Sequence, residues 1–166
     1  ESTDFEPGKA IKIKLGYHST EEDVFEGVIT AQNIEVKSYS HKIISQLIII
    51  SHDKAFKMAI ARKSANFKDK KDSEVITSLI NNYSLSKAVG STEYKHANLI
   101  QYNCSDWDFM LSRADANGLV VINDAGKLDV NKPVVSGTEV LTLNYGTNVI
   151  DFKGEMDSRL QLDGVT

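Results

Sequence analysis

The residues that could supply a nucleophile are serines followed three positions later by lysine. Ser84 precedes Lys87 at the spacing in which a lysine amine activates a serine hydroxyl, and Ser51 precedes Lys54 in the same way. The chain holds 16 serines and 16 lysines among 166 residues, so about 1.5 such pairs arise by chance. The companion S-D-N and K-T-G motifs do not occur in the sequence. The spacing therefore gives no evidence for catalysis at either serine.

Cys104 is the only cysteine, which excludes an internal disulfide and fits a reducing compartment. It directly precedes a predicted helix, and a helix N-terminus can activate a thiol. A base for Cys104 would come from one of four histidines, His18, His41, His52 and His96. The simpler interpretation is a small apolar residue beside the helix. His52 and Asp53 suggest a base and its orienting carboxylate, but adjacent strand residues point to opposite faces, so we favour a turn there.

Three aspartates, Asp106, Asp108 and Asp115, form a carboxylate cluster in the sequence. The first two fall in the first turn of a predicted helix, where the helix dipole stabilises negative charge. Asp115 lies two turns further on. The sequence contains no H-E-x-x-H, C-x-x-C, EF-hand, G-x-G-x-x-G or P-loop pattern. We therefore predict no catalytic residue, no metal site and no cofactor, and we expect a structural or binding role.

The helix that carries these aspartates is predicted over residues 105–117. Ser105 is a natural N-cap, and Asp108 three residues later makes a variant of the capping box. Gly118 ends the helix because glycine adopts the left-handed conformation without strain. One face repeats apolar residues at helical spacing: Trp107, Met110, Leu111 and Ala114. We expect Trp107 to anchor the core rather than to stack on a ligand.

A second helix is predicted over residues 73–83, with Asp72 or Ser73 as its cap. Its apolar stripe contains Val75, Ile76, Leu79, Ile80 and Tyr83. Both helices contribute to the predicted core of this module: Leu79, Ile80, Tyr83, Trp107, Phe109 and Met110. The charged stretch 66–72 between a β-rich region and this helix suggests a boundary. Its mixed charges favour a solvated loop over a salt-sensitive docking surface.

The remaining segments favour β-structure. Residues 9–62 contain alternating and continuous apolar runs typical of strands, whereas residues 55–61 fit either a strand or a helical turn. Residues 119–122 and 127–130 flank a turn that contains Gly126 and predict a hairpin. Residues 138–143 and 148–152 are predicted as further strands. The fold class is therefore α+β.

Composition excludes two classes of partner. The formal net charge of −4 and the pI near 5.6 argue against a dedicated nucleic-acid-binding protein, which usually carries a basic face. No run approaches 18 apolar residues, so no stable membrane insertion is expected. The chain begins without methionine and shows no signal-like apolar segment, and we expect a fragment or a processed product.

Two segments of the chain, residues 58–86 and 96–128, resemble the valine-glycine repeat protein G (VgrG) family. These are spike proteins of type VI secretion and related contractile injection systems, and they share this region with the hub of contractile phage tails. The most specific residues are Gln101, Tyr102 and Asn103, then 105–109, Arg113, Ala114, Asn117 and Gly118. Residues 7–16, 25–27, 62–69 and 152–159 also fit the family.

The resemblance implies a fold and an assembly. The family hub is a homotrimeric ring with two β-barrels in each protomer, so this chain would contain part of a first β-barrel (1–62), an α/β module with two helices and a hairpin (63–133), and the start of a second barrel (134–166). Its partners would be the tube protein and the needle or spike segments of the same machine. The protein would assemble in the bacterial cytoplasm and leave with the spike, or form part of a phage-like particle.

Three functional hypotheses follow. The first is a structural hub or spike component without enzymatic activity, which as an isolated piece would be a monomer or a weak oligomer because incomplete barrels expose strand edges. The second is a hydrolase that uses Cys104 or Ser84. The third is a β-rich module that binds a peptide or a glycan and would need a large exposed aromatic patch.

Overall fold

The computed structural model describes residues 4–17, 20–39, 42–124, 126–134, 136–139 and 141–156. The chain divides into two compact units, Glu1–Pro133 and Val134–Thr166. The described part of the first unit contains eight strands: β1 Ala10–Tyr17, β2 Thr20–Tyr39, β3 Lys42–His52, β4 Arg62–Lys71, β5 Ser86–Val89, β6 Lys95–Ser105, β7 Val120–Asp124 and β8 Lys127–Asn131. Its α-helices are α1 Lys57–Ile60, α2 Asp72–Asn81 and α3 Asp106–Asp115.

The first sheet is an open antiparallel meander in the order β1-β2-β3. The strand β1 pairs with the first half of β2, from Thr20 to Val28, and β3 pairs with the second half, from Val28 to Tyr39. The predicted β-barrel segments are corrected here, because none of the three sheets in the described residues closes into a barrel. Three strands with staggered pairing are too few for closure, which leaves both edges of the sheet open.

The strands β4 and β6 form a separate two-stranded antiparallel ribbon. The solvated loop predicted within residues 66–72 was therefore wrong, since most of this stretch belongs to β4. Its inward positions, Ala65 and Phe67, pair with Gln101 and Leu99, and the Phe67 ring stacks on Phe109 at 6.0 Å. Charged residues at the outward positions hid this alternation in the sequence.

Residues 54–60 form a 3₁₀ turn followed by α1, which decides the ambiguity at 55–61 in favour of helix. The Asp53 side chain caps the turn by accepting a hydrogen bond of 2.8 Å from the Ala55 backbone N–H. The turn predicted at His52 and Asp53 therefore begins at Asp53, because His52 is the last residue of β3. Met58 on α1 is fully buried, so this short helix closes one side of the core.

The core lies between α2, α3 and the sheet β5-β8-β7. Its buried apolar residues are Ala55, Met58, Val75, Ile76, Leu79, Ile80, Leu85, Phe109, Met110, Ala114, Leu119, Leu128 and Val130. The stripe predicted on α2 is confirmed for four residues, while Tyr83 lies beyond the helix and is half-buried. The N-cap of α2 is Lys71, not Asp72 or Ser73, and the Glu74 carboxylate accepts a 2.8 Å hydrogen bond from its backbone N–H.

The helix α3 is confirmed, but its buried face differs from the predicted one. Ser105 is the N-cap and accepts a 3.0 Å hydrogen bond from the Asp108 backbone N–H. Phe109, Met110 and Ala114 are buried, whereas Trp107 is only half-buried and Leu111 is exposed. The helix is turned so that Asp106, rather than Leu111, faces inward. Trp107 therefore packs against the core margin instead of anchoring its centre.

The predicted hairpin is confirmed by β7 and β8, which pair antiparallel from Val120–Asn131 to Asp124–Lys127. Gly126 in the turn has a φ of +81°, a conformation that favours glycine. The strand β5 adds in parallel to β8, because the long connection between them, which contains β6, α3 and β7, provides the crossover that parallel strands need.

The second unit contains no strand among its described residues, and its one regular feature is an isolated bridge between Tyr145 and Val149. The strands predicted at 138–143 and 148–152 were therefore wrong, and residue 140 lies outside the described part. Leu141, Leu143, Ile150 and Phe152 are exposed. An isolated strand is unstable in water without a layer to cover its apolar side chains, which explains why the pattern produced no sheet here.

Candidate functional site

The most concentrated chemistry in the described residues surrounds two buried aspartates, one at the start of each long helix. Asp72 opens α2 and is 2% exposed. Arg113 of α3 donates to it through Nε at 2.6 Å and Nη2 at 3.2 Å, and Asn117 donates through Nδ2 at 2.9 Å. His96 Nε2 of β6 lies 3.0 Å from Asp72 Oδ2. We call these four residues the Asp72 clamp.

Asp106 opens α3 and is 1% exposed. Lys63 Nζ of β4 and the Tyr83 hydroxyl each donate to Asp106 Oδ2 at 2.7 Å, and Gln101 Nε2 of β6 donates to Oδ1 at 2.9 Å. Lys63 Nζ also donates to the Tyr83 hydroxyl oxygen at 2.9 Å. We call these four residues the Asp106 clamp. The two clamps together tie α2 and α3 to both strands of the β4–β6 ribbon.

Electrostatics keeps both carboxylates ionised. Burial alone would raise the pKa of Asp72, but hydrogen bonds from Arg113, Asn117 and His96 outweigh burial and lower this pKa to about 2. Burial likewise opposes ionisation of Asp106, yet its hydrogen bonds from Gln101, Lys63 and Tyr83 lower its pKa as well. A carboxylate with a lowered pKa and several donors is a weak proton acceptor at neutral pH. The clamps therefore suit a structural role better than acid–base catalysis.

Proton transfer from Tyr83 and Lys63 is also disfavoured, because the pKa values of both groups are raised. Burial raises the pKa of the Tyr83 hydroxyl, and the neighbouring Asp106 carboxylate raises it further. Hydrogen bonds to Asp106 and Tyr83 raise the pKa of the Lys63 amine. Neither group is poised to release a proton near neutral pH. The clamp holds Tyr83 as a phenol and Lys63 as an ammonium.

In the structure, the lysines of the two predicted Ser–Lys pairs contact other residues. Lys87 Nζ donates to the Asn81 side chain instead of Ser84, and Ser84 lies in a turn with a φ of +54°. Ser51 lies within β3, while Lys54 forms an ion pair with Glu26. The chance origin inferred for both spacings agrees with this geometry.

Neither of the two histidines that the structure describes, His52 and His96, is brought to Cys104. His52 Nδ1 lies 2.7 Å from the Thr30 hydroxyl, and Asp53 accepts from Ala55 and from Gly126 rather than from His52. His96 belongs to the Asp72 clamp. His18 and His41 lie outside the described residues. Among the predicted carboxylate cluster, Asp106 is buried, whereas Asp108 and Asp115 are exposed, so the three do not converge. No group of metal-ligating side chains occurs in the described residues.

Cys104 is half-buried, and it does not line any of three open grooves of about 420, 290 and 350 Å³ on the first unit. We expect its thiol to react with a chromogenic disulfide reagent at pH 7 no faster than an unactivated thiol, because no base contacts it in the described structure. A time course beside free glutathione measures this rate. A reaction more than about 10-fold faster than glutathione would contradict the expectation and favour the hydrolase hypothesis.

The sequence prediction missed the partners of the two aspartates. A signal was present at Gln101, a polar residue at an inward position of a strand whose neighbouring inward residue is the apolar Leu99. Its Nε2 also donates to the Cys104 carbonyl at 3.1 Å, whereas its buried Oε1 has no hydrogen-bond partner among the described residues. No pattern in the sequence links Asp72 to Arg113, because their contact joins residues far apart in the chain.

The fold is similar to that of a phage tail protein. One matching structure is the 43 kDa tail protein of prophage MuSo2 from Shewanella oneidensis, with a TM-score of 0.67 and 16% sequence identity. It covers 90% of this chain and 45% of that one, so the chain spans less than half the length of the solved protein. The phage-tail side of the sequence resemblance is thereby confirmed at the level of fold.

The family is shown by sequence. The profile of the Alg8 N-terminal domain family matches residues 1–166, and the chain belongs to that family. This profile is not that of the VgrG family. No curated protein sequence matches the chain significantly. In the described residues, no helix is long and apolar enough to cross a bilayer.

Proposed function

We propose that this chain is a structural part of a phage-tail-like or contractile injection machine, related to the VgrG spike and hub proteins. In this role it joins the tube to the membrane-puncturing needle. The observation that carries the proposal is the fold shared with a prophage tail protein over 90% of the chain.

The motif that resembles VgrG proteins supports a structural role, because several of its residues belong to the two clamps. Gln101 and Asp106 belong to one clamp and Arg113 to the other. Gly118 follows α3 with a φ of +62° and ends the helix. The resemblance therefore includes residues that hold the α/β part together.

The proposed mechanism is mechanical. Contraction of a sheath drives the tube and spike forward, and the hub must carry axial load without separating. Charge-assisted hydrogen bonds in the clamps join both helices to the β4–β6 ribbon, and such bonds are stronger than neutral ones. No step in this mechanism needs a proton transfer, so we propose that the chain is not an enzyme and uses no cofactor.

The proposed partners are the tube protein and the needle segments, with three copies of the longer polypeptide around one axis. Assembly would take place in the bacterial cytoplasm, followed by export with the spike or incorporation into a phage-like particle. We propose no nucleic-acid partner, in line with the net charge of −4.

Imaging tests this function. We expect the longest natural polypeptide that contains this sequence to form three-fold rings in negative-stain electron microscopy, and to co-purify with a tube protein encoded beside it. The matched control is the same polypeptide without residues 1–133, which should lose the ring. Single-copy particles without a ring, or hydrolase turnover abolished by Cys104→Ser, would reject the proposal.

A further inference from the structure

The β4–β6 ribbon carries a strong excess of positive charge. Its two strands contain six lysine or arginine residues and a single acidic residue, Asp69, in a chain whose formal net charge is −4. All but Lys71 of these cations are exposed. The six are Arg62, Lys63, Lys68, Lys70 and Lys71 on β4 and Lys95 on β6. The rest of the chain is therefore more acidic than the chain as a whole, and the ribbon is a local basic surface.

Most of this charge is not neutralised within the protein. Lys63 contacts Asp106 at 2.7 Å, whereas the other five cations form no salt bridge among the described residues. The pKa of Glu74 is lowered first by a hydrogen bond from the Lys71 backbone N–H, and three nearby lysines lower it further. These lysines are Lys70, Lys71 and Lys95. One carboxylate therefore faces three ammonium groups at this end of the ribbon.

Two of the lysines lie directly opposite one another. Lys71 of β4 pairs with Lys95 of β6 in the antiparallel register. Like charges at directly opposed positions destabilise a sheet. A local arrangement that costs stability is typical of a functional surface, and an anionic partner would offset the repulsion.

The outer face of the ribbon places further lysines beside an apolar side chain. Lys68 and Lys70 are two residues apart on β4 and therefore share a face. Asn66 lies on the same face and pairs with Ile100 of β6. Ile100 is 58% exposed, and Tyr102, two residues further along β6, is 80% exposed. The face thus offers apolar contacts next to its charges.

The edge of β4 that faces away from β6 pairs with no strand in the part of the chain that the structure describes. A strand edge presents backbone N–H and C=O groups to which another extended chain can add. Two copies of this ribbon would bring lysine against lysine, so its charge disfavours a second copy of itself and favours an acidic partner.

We infer that the β4–β6 ribbon is a docking site for an acidic polypeptide segment, which adds to the free edge of β4 as an extended strand. Carboxylates of the segment lie against Lys68 and Lys70 on the outer face. Nucleic acid fits the surface less well, because it has no peptide backbone to pair with the edge and a long polyanion meets the acidic rest of the chain. The inference goes beyond the proposed function and does not depend on it.

The length of β4 limits the strength of this contact. Its 10 residues span about 33 Å at 3.3 Å per residue, which gives an interface well below the roughly 800 Å² per partner of a standard stable complex. Exposed charges are also screened beyond about 8 Å at physiological salt. We therefore expect weak binding that falls as the salt concentration rises.

Fluorescence anisotropy of labelled peptides with the 166-residue chain tests the inference. The probe is a peptide of about ten residues that alternates glutamate and valine, to match the length of β4. A second peptide has glutamine in place of glutamate, and a third has proline in place of valine, which removes backbone N–H donors. Single-stranded oligothymidylate and vesicles of phosphatidylserine and phosphatidylcholine serve as the other anionic probes.

The test variant carries Lys68→Gln and Lys70→Gln. Its matched control carries Lys12→Gln and Lys14→Gln, which remove the same charge at the same spacing from the exposed strand β1. Neither pair belongs to a clamp. Far-UV circular dichroism and the thermal midpoint show that both proteins stay folded, as expected for surface substitutions.

We expect the glutamate–valine peptide to bind the wild-type chain, and the Lys68 and Lys70 variant to weaken its Kd by about 10-fold, with the control within about 2-fold of wild type. The glutamine and proline peptides should bind at least about 10-fold more weakly than the probe. No binding of the probe up to about 1 mM would overturn the inference. Equal binding by variant and control, equal binding of the proline peptide, or tighter binding of oligothymidylate or vesicles would also overturn it.

Discussion

Replacing Asp72 with alanine is expected to lower the free energy of unfolding by about 3–5 kcal/mol, the cost of breaking a buried ion pair by removing one partner. Arg113 is left without its bidentate acceptor, and His96 and Asn117 each lose a hydrogen bond. The clamp joins α2, α3 and β6, so its loss loosens three elements at once. Urea denaturation at pH 7 followed by circular dichroism measures the change.

Asp115→Ala is the matched control for this prediction. Asp115 belongs to the same sequence cluster of helix aspartates but is exposed at the end of α3. Its removal should change stability by no more than about 0.5 kcal/mol, as for most surface substitutions. A comparable loss in both variants would show that Asp72 contributes through general charge rather than through its buried contacts.

The dependence of folding stability on acid pH tests whether the Asp72 clamp stabilises the chain through an ionised carboxylate. The pKa of Asp72 is lowered from 3.8 in the unfolded chain to about 2 in the folded chain. The ionised carboxylate therefore stabilises the folded state at pH values above the unfolded pKa. This stabilisation, about 2 kcal/mol by linkage, is lost as the pH falls from about 4 through 2. Asp72→Asn should flatten that part of the profile. An unchanged acid slope in the variant would mean that other carboxylates, Asp106 among them, carry the dependence.

The elements predicted correctly from the sequence are those in which the apolar periodicity and the capping or turn residues indicate the same structure. The N-cap Ser105, the stripe of α2 and the turn at Gly126 each depend on neighbouring residues only, and each appears in the structure. Local rules succeed there because the physical cause of the element lies within one or two turns of chain.

The errors have a common physical origin. The strand β4 is charged on its outer positions, and its assignment depends on pairing with β6, which lies about 30 residues away in the chain. The segments predicted as strands in the second unit have a suitable apolar pattern, but they pair with no other strand in the described residues. The barrel expectation came from family resemblance, and the described strands leave open sheets.

The site could be predicted even less. Asp106 was correctly assigned to the first turn of its helix, whereas Asp72, predicted as a possible cap, is the first residue of α2 after the cap Lys71. Their burial follows from donors that the fold gathers from β4, β6 and the far end of α3. Sequence spacing carries no record of such contacts. Only the inward Gln101, a polar residue among apolar ones, hinted at a buried network.

Met110→Ala tests the rotation of α3, on which both clamps depend. Met110 is fully buried and Leu111 is 37% exposed, whereas the sequence pattern assigned both to one buried face. We expect Met110→Ala to cost about 2–5 kcal/mol because it leaves a cavity in the core. Its neighbour Leu111→Ala should cost about 1 kcal/mol or less. Urea denaturation of both variants measures the difference.

Leu111→Ala is the sharper of the two variants because the two orientations of α3 predict different results for it. If α3 presented the face of Trp107 and Leu111 to the core, both substitutions would destabilise the chain by similar amounts. That orientation would move Asp106 away from Lys63 and Gln101, since Asp106 lies beside Met110 and Phe109 on the inward face. Equal losses would therefore disprove both the packing of α3 and the Asp106 clamp, whereas a large loss confined to Met110 supports them together.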